Sequence, residues 1–312
     1  MEADIRKMSK AKIILTFILC ASLGCTMTAE GRADKTEKAR YHYEVSRDRS
    51  VYFTNADVVI EKIRKALVER HSDITISYTS ESDDLDDISA IVSELMGFAV
   101  YETDRPYEGD YLDCTLGGHE VDYSCTKSAD RYDYEIVIKP IYYTDEKQEK
   151  KVDAEVRRIA HELGLYSEKA DGQKIRLIYD YICKNVSYDL VNAKNEHSHL
   201  RSTAFAALIY HSATCQGYAH AIYRLMREAG IECRIIRGMC RAQSGEYEYH
   251  AWNIAKLQDK WYELDATWDA GREEYSFFLM GSRDFARHTR DEEYLTKEFE
   301  KSHPMAQTKY IW

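Results

Sequence analysis

Thr214-Cys215-Gln216-Gly217-Tyr218-Ala219 opens the stretch that decides the fold. From Cys215 to Ala229 the apolar spacing is helical, and Gly230 suits the position just past a helix end. His250-Ala251-Trp252-Asn253 begins 35 residues after the Cys, and Asp265 follows 15 residues later, inside Trp261-Tyr262-Glu263-Leu264-Asp265-Ala266-Thr267-Trp268. Cys233–Met239, Tyr249–Lys256 and Trp261–Ala266 read as strands, separated by turns at Gln243-Ser244-Gly245-Glu246 and Asp259-Lys260. A helix start and two consecutive antiparallel strands thus carry a thiol, an imidazole and a carboxylate. Neighbouring strands lie about 4.8 Å apart, so a His250–Asp265 hydrogen bond is easy to make.

Cys215, His250 and Asp265 in this order read as nucleophile, base and orienter. A helix N-terminus favours the thiolate, the form that attacks acyl carbon. Gly217 would let backbone approach a substrate, and the Cys215 N–H with Tyr188 or Gln216 could bind an oxyanion. Trp252 and Trp268 read as walls of the site or as local core. Each residue alone has a plain reading: a buried thiol, a packed histidine, an Asp that caps a turn. Three independent elements would have to assemble the triad by accident.

These three motifs, with Tyr188-Asp189 upstream and Tyr275-Ser276-Phe277-Phe278 downstream, resemble the core of the transglutaminase-like superfamily in its bacterial branch, over about 170–285. The resemblance implies a papain-like fold and assigns nucleophile, base and acidic partner to Cys215, His250 and Asp265. One departure is His211-Ser212-Ala213-Thr214, where such proteins commonly carry a Gly and a small apolar residue before the Cys. The family implies thioester chemistry on an amide. Many bacterial relatives look like proteases or amidases, so hydrolysis is favoured over protein crosslinking (a protein-glutamine γ-glutamyltransferase activity). A non-catalytic envelope binding module on the same fold is the rival from another class.

The 312 residues include 44% apolar side chains, enough for a real core, and a net charge of −11, which speaks against nucleic acid as the main partner. The expected partner is a protein or peptide. Arg6, Lys7, Lys10 and Lys12 precede an apolar run, Ile13 to Gly24, like an export signal too short to span a membrane comfortably. Cys25 fits lipidation and Ala29 simple cleavage, so the expected address is a cell-envelope lipoprotein or a secreted protein, touching membrane only through that signal or anchor. Such an address would offer cell-wall stem peptides or surface proteins as substrates. Cys114 and Cys125 flank a Gly117-Gly118 turn and are the pair most suited to a disulfide, whereas Cys183 reads as a buried thiol. No Cys/His spacing matches a structural zinc site, His197-x-His199 reads as loop, and no metal or cofactor is expected.

The expected class is therefore α+β. Residues 1–29 form a signal, 30–50 a polar linker, 51–145 a small α+β module of unknown role and 146–312 the catalytic domain. In the module, helices over Asn55–His71 and up to Gly97 combine with strands at Asp73–Tyr78, Asp110–Cys114, Val121–Thr126 and Tyr132–Tyr143. Helices over Lys151–Leu163 and Lys174–Val186 lead into the catalytic stretch.

Overall fold

The structure is a computed structural model. It describes residues 57–312, except 82–87, 130, 168, 193–194, 196–197, 243–244 and 312, and the backbone alone of 12–15, 40–45, 49–54 and 56. Cys25, Ala29 and most of the proposed signal, His197 and the acidic run before Ile88 lie outside the described residues. Among the described residues no helix is long and apolar enough to cross a membrane. The chain divides into two compact units, one of residues 1–101 and 116–141, the other of 102–115 and 142–312.

In the first unit the strands are β1 (Lys12–Leu15), β2 (Arg40–Val45), β3 (Arg49–Thr54), β4 (Ile74–Ser80), β5 (Leu116–Lys127) and β6 (Tyr132–Tyr142). A four-stranded sheet has the order β1-β5-β6-β4, and β2 pairs with β3 within the stretch that reads as linker and start of the module. Strict alternation on β4 buries Ile74, Ile76 and Tyr78, which face Ile138, Ile136 and Tyr134 across the antiparallel pair. Helices α1 (Ala56–Val68) and α2 (Ile88–Ala99) supply Ile63, Leu67, Ile91, Val92 and Leu95 to the core.

The second unit opens with a departure from the sequence reading. Asp110–Cys114 is not a strand but a short helix, α3. Gly109, at φ 64°, turns the chain into it, and Tyr111, Leu112 and Cys114 are buried. Asp110 could not serve a strand edge, because its carboxylate takes both donors of Arg234 at 2.8 Å and the N–H of Ile235 at 2.7 Å. The Cys114–Cys125 disulfide does not form: Cys114 is a free thiol in the core of this unit, beside Tyr111 and Val152.

α4 (Glu146–Glu162) begins in a capping box between Asp145 and Gln148, and α5 (Asp171–Asn185) follows. β7 (Ser187–Tyr188) runs parallel to β8 (Ser212–Ala213), directly before α6 (Cys215–Glu228). Every residue of α6 from Gly217 to Met226 is buried, so this helix is the axis of the unit. Even Arg224 lies inside, paired with Asp153 at 2.5 Å and set over the Tyr111 ring at 4.6 Å. An antiparallel sheet in the order β11-β10-β9-β12 completes the unit, with β9 (Cys233–Arg241), β10 (Tyr247–Leu257), β11 (Lys260–Leu264) and β12 (His288–Arg290). Asn253 fastens β10 to the helix, its Nδ2 donating to Ala219 O at 3.0 Å. Ile235, Ala251 and Ala255 join the core around α6; Ile236, Trp252 and Ile254 form a second cluster with Trp261, Phe285 and Tyr294.

Candidate active site

Cys215 is the first residue of α6 and is partly exposed. The preceding Thr214 does not cap the helix with its side chain. Its hydroxyl turns instead to Ser202 Oγ at 3.1 Å and Arg201 O at 3.3 Å. No side chain of the N-cap therefore takes the first-turn N–H groups beside the thiol. Gly217 closes the helix base: a Cβ there would stand 2.6 Å from Ala213 Cβ and 3.0 Å from the carbonyls of Arg201 and Thr203. Gly217 is buried, and its small size serves packing under the site.

His250 lies on β10 opposite Gly238 of β9. Gly238 is needed, because any Cβ would stand 2.1 Å from the Thr289 carbonyl of β12. Asp265 ends β11 and starts the short helix α7 (Ala266–Asp269) as its N-cap. Its Oδ1 accepts from the N–H groups of Thr267 and Trp268 at 3.0 and 3.2 Å. Its Oδ2 lies 2.9 Å from His250 Nε2. Asp265 thus caps the turn with one oxygen and turns the other to His250. The Tyr275–Phe278 motif supports it: Phe277 O accepts the Asp265 N–H at 3.0 Å, and Asp269 takes the N–H groups of Ser276 and Phe277 at 2.8 Å.

Electrostatics bind the three groups. Burial works to lower the His250 pKa, but the charge and hydrogen bond of Asp265 and a hydrogen bond with Cys215 outweigh it, and the pKa is raised well above the ordinary value. Nε2 faces Asp265, which leaves Nδ1 for the thiol. Burial likewise pushes Asp265 up, but His250 and a second histidine, His288, hold it below the usual carboxylate range. Tyr188 stands at the rim, 37% exposed, its phenol pushed up by burial and then by the charge of Cys215.

Two other candidates have partners of their own. Gln216 acts on the Cys114 thiol, which burial pushes up to about 12. Trp252 is buried, and its Nε1 donates to Glu263 at 2.8 Å, so it belongs to the core below His250. Trp268 also lies beneath the imidazole, 5.7 Å from it between ring centres.

His288 has no counterpart in the sequence reading. It comes from β12, one edge strand, and reaches Asp265 at the end of β11, the other. Alternation along three residues, His288-Thr289-Arg290, is the only local signal. The ligand-type atoms of His250, Asp265 and His288 lie within 4.8 Å of one another, close enough in principle for a metal ion. They already serve one another as donor, acceptor and donor. His288 Nδ1 has no hydrogen-bond partner among the described residues, whereas metal-bound imidazoles lean on one.

Residues 157–266 match the model of the transglutaminase-like superfamily. Kyphoscoliosis peptidase of Mus musculus and that of Homo sapiens are each 30% identical to this chain over 115 residues, 34% of the chain and 17% of the relative. The chain thus matches about a sixth of the length of these curated relatives. A solved structure described as a TGase is 13% identical, with a TM-score of 0.36, covering 70% of this chain and 57% of that one.

Proposed function

We propose that this chain, whose residues 157–266 form a transglutaminase-like core, is a cysteine-dependent enzyme that opens amide bonds of peptides or proteins through a thioester. The observation that carries this reading is the His250–Asp265 hydrogen bond at 2.9 Å, with Cys215 acting on the same imidazole and helping to hold its proton. His250 keeps its proton above the ordinary histidine range, so a protonated imidazole stands ready beside Cys215 at neutral pH.

The chemistry follows from that pair. The Cys215 sulfur attacks the amide carbon, and negative charge moves to the carbonyl oxygen. The uncapped first-turn N–H groups of α6 offer donors for that charge. His250 gives its proton to the departing amine, leaving an acyl thioester on Cys215. Water, deprotonated by His250, then attacks the thioester and frees the acid. Asp265 keeps the imidazole in one tautomer and supports its charged form throughout. Hydrolysis is favoured over amine transfer, and an exported address with envelope peptides or surface proteins as substrates remains part of the proposal.

Site-resolved alkylation of the intact chain between pH 5 and 9 tests the reading. Cys215 should react fastest and still react well near pH 6. Reaction only above about pH 8.5, as for an ordinary thiol, would replace this reading by a binding module on the same fold. If the thiol passes, peptide amides offered with and without an added primary amine decide between hydrolysis and transfer.

A further inference from the structure

The chemistry above leaves one buried polar group unused. His288 Nε2 lies 3.0 Å from Asp265 Oδ2, the same oxygen that His250 Nε2 approaches at 2.9 Å. An ionised carboxylate only accepts, so both imidazoles present an Nε2–H to it. The other oxygen of Asp265 is committed to two backbone N–H groups. Asp265 therefore cannot swing, and what varies is how the charge on Oδ2 is divided between two rings.

The His288 side chain is fully enclosed and well fixed. Its ring stacks on Phe285 with centres 3.9 Å apart, and Trp268 and Trp252 stand at 4.5 and 5.0 Å. Two residues along the strand, Arg290 pairs with Glu263 at 2.6 Å, so β12 clamps both Glu263 and Asp265 from the same side. A ring wanted only for packing would be served by phenylalanine. This one places its single satisfied polar atom on the carboxylate of the site.

We propose that His288 is a positioning residue: by sharing Asp265 Oδ2 with His250, it draws off part of the carboxylate's charge and sets how firmly His250 holds its proton. The inference rests on the acyl-transfer reading of Cys215 and His250. A base that must give up its proton to a leaving amine and take one back from water works best when neither step is held too tightly. Other charged and titratable groups also face the pair. Cys215 approaches His250 from α6, and Cys240 does so from β9. Glu248, on β10 itself, interacts with Cys240 and with Tyr188 of β7. Asp269 of α7, and Tyr179 and Cys183 of α5, feel the charge of Asp265. Arg287 lies over the outer face of Trp268 at 4.6 Å. All of these stay in place when only the His288 N–H is removed.

The test is a histidine-selective NMR titration of His250 in the intact chain, run beside the alkylation profile of Cys215. In His288→Phe, which keeps the stacked ring, the His250 midpoint should rise by half to one pH unit, about a three- to tenfold tighter hold on the proton. His288→Gln keeps an N–H donor and should match the wild type. An unmoved midpoint in His288→Phe, or an equal shift in His288→Gln, overturns the inference. Should His288→Phe not fold, the wild type decides: two imidazole Nε2–H signals, both lost in Asp265→Ala, are expected, and a single one overturns the sharing. The underlying reading fails separately, if the wild-type His250 midpoint is the same in Cys215→Ala.

Discussion

In the proposed mechanism Cys215, His250 and Asp265 hold different offices, and substitution should separate them. Cys215→Ala should abolish turnover and thioester formation while leaving the circular dichroism spectrum and melting temperature near those of the parent. His250→Ala should cost about 10⁴-fold in kcat/KM, since it deletes the proton carrier. Asp265→Asn should cost less, because it misorients that carrier without removing it. Equal residual rates in the last two would count against the orienter role. These three residues are legible in the sequence because each sits in a distinctive local string at a helix start or strand end. His288 is not, because nothing around it in Ser282-Arg283-Asp284-Phe285-Ala286-Arg287 marks a site. Only the pairing of β12 with β9, a contact between distant stretches of chain, brings it to Asp265.

Among the elements, helices and strands with a clean period were legible: β4 by alternation, α4 to α6 by apolar spacing. The short α3 was not, since Asp-Tyr-Leu-Asp-Cys alternates well enough to pass for a strand, and tertiary partners decided the outcome. Those partners make the segment before it sensitive to pH. Burial, and then the nearby charge of Asp110, raise the Glu102 pKa from 4.5 to about 7, although Arg234 and the Tyr223 hydroxyl pull the other way. A carboxyl raised on folding favours the native state while both states are protonated. The contribution of Glu102 to stability should therefore be greatest below about pH 4.5 and fall as pH rises to about 7, where the folded group has ionised too. Glu102→Gln should flatten that part of the curve. Chemical denaturation at pH 5, 6 and 7 measures it, and identical slopes for the two proteins would remove Glu102 as the source.

At the scale of the whole molecule, the sequence suggests a cut at 145, but the second unit also claims 102–115. Tyr111 and Cys114 belong to its core, and Asp110 holds the Arg234 guanidinium with two hydrogen bonds. This division was illegible because the intervening hairpin, 116–141, belongs to the other unit, and a discontinuous unit leaves no composition shift at its borders. A fragment of 146–312 leaves Arg234 without its acidic partners and opens a hole where Tyr111 packs, costs of about 3–5 kcal/mol each. It should melt well below a fragment of 102–312, or fail to fold. Equal melting temperatures by calorimetry would contradict the assignment of 102–115.

The thiols of the second unit carry a consequence for life in an oxidising medium. Cys114, Cys183, Cys233 and Cys240 are all buried, and burial pushes each thiol above its ordinary pKa. Disulfide exchange proceeds only through a thiolate with access to its partner. These four are thereby kinetically silent toward glutathione disulfide, and of this unit's thiols only the partly exposed Cys215 answers to the redox poise of the surroundings. Glutathione disulfide should then form one mixed disulfide on this unit, blocking the proposed activity, and dithiothreitol should reverse it in full, with no scrambling of the unit's other cysteines.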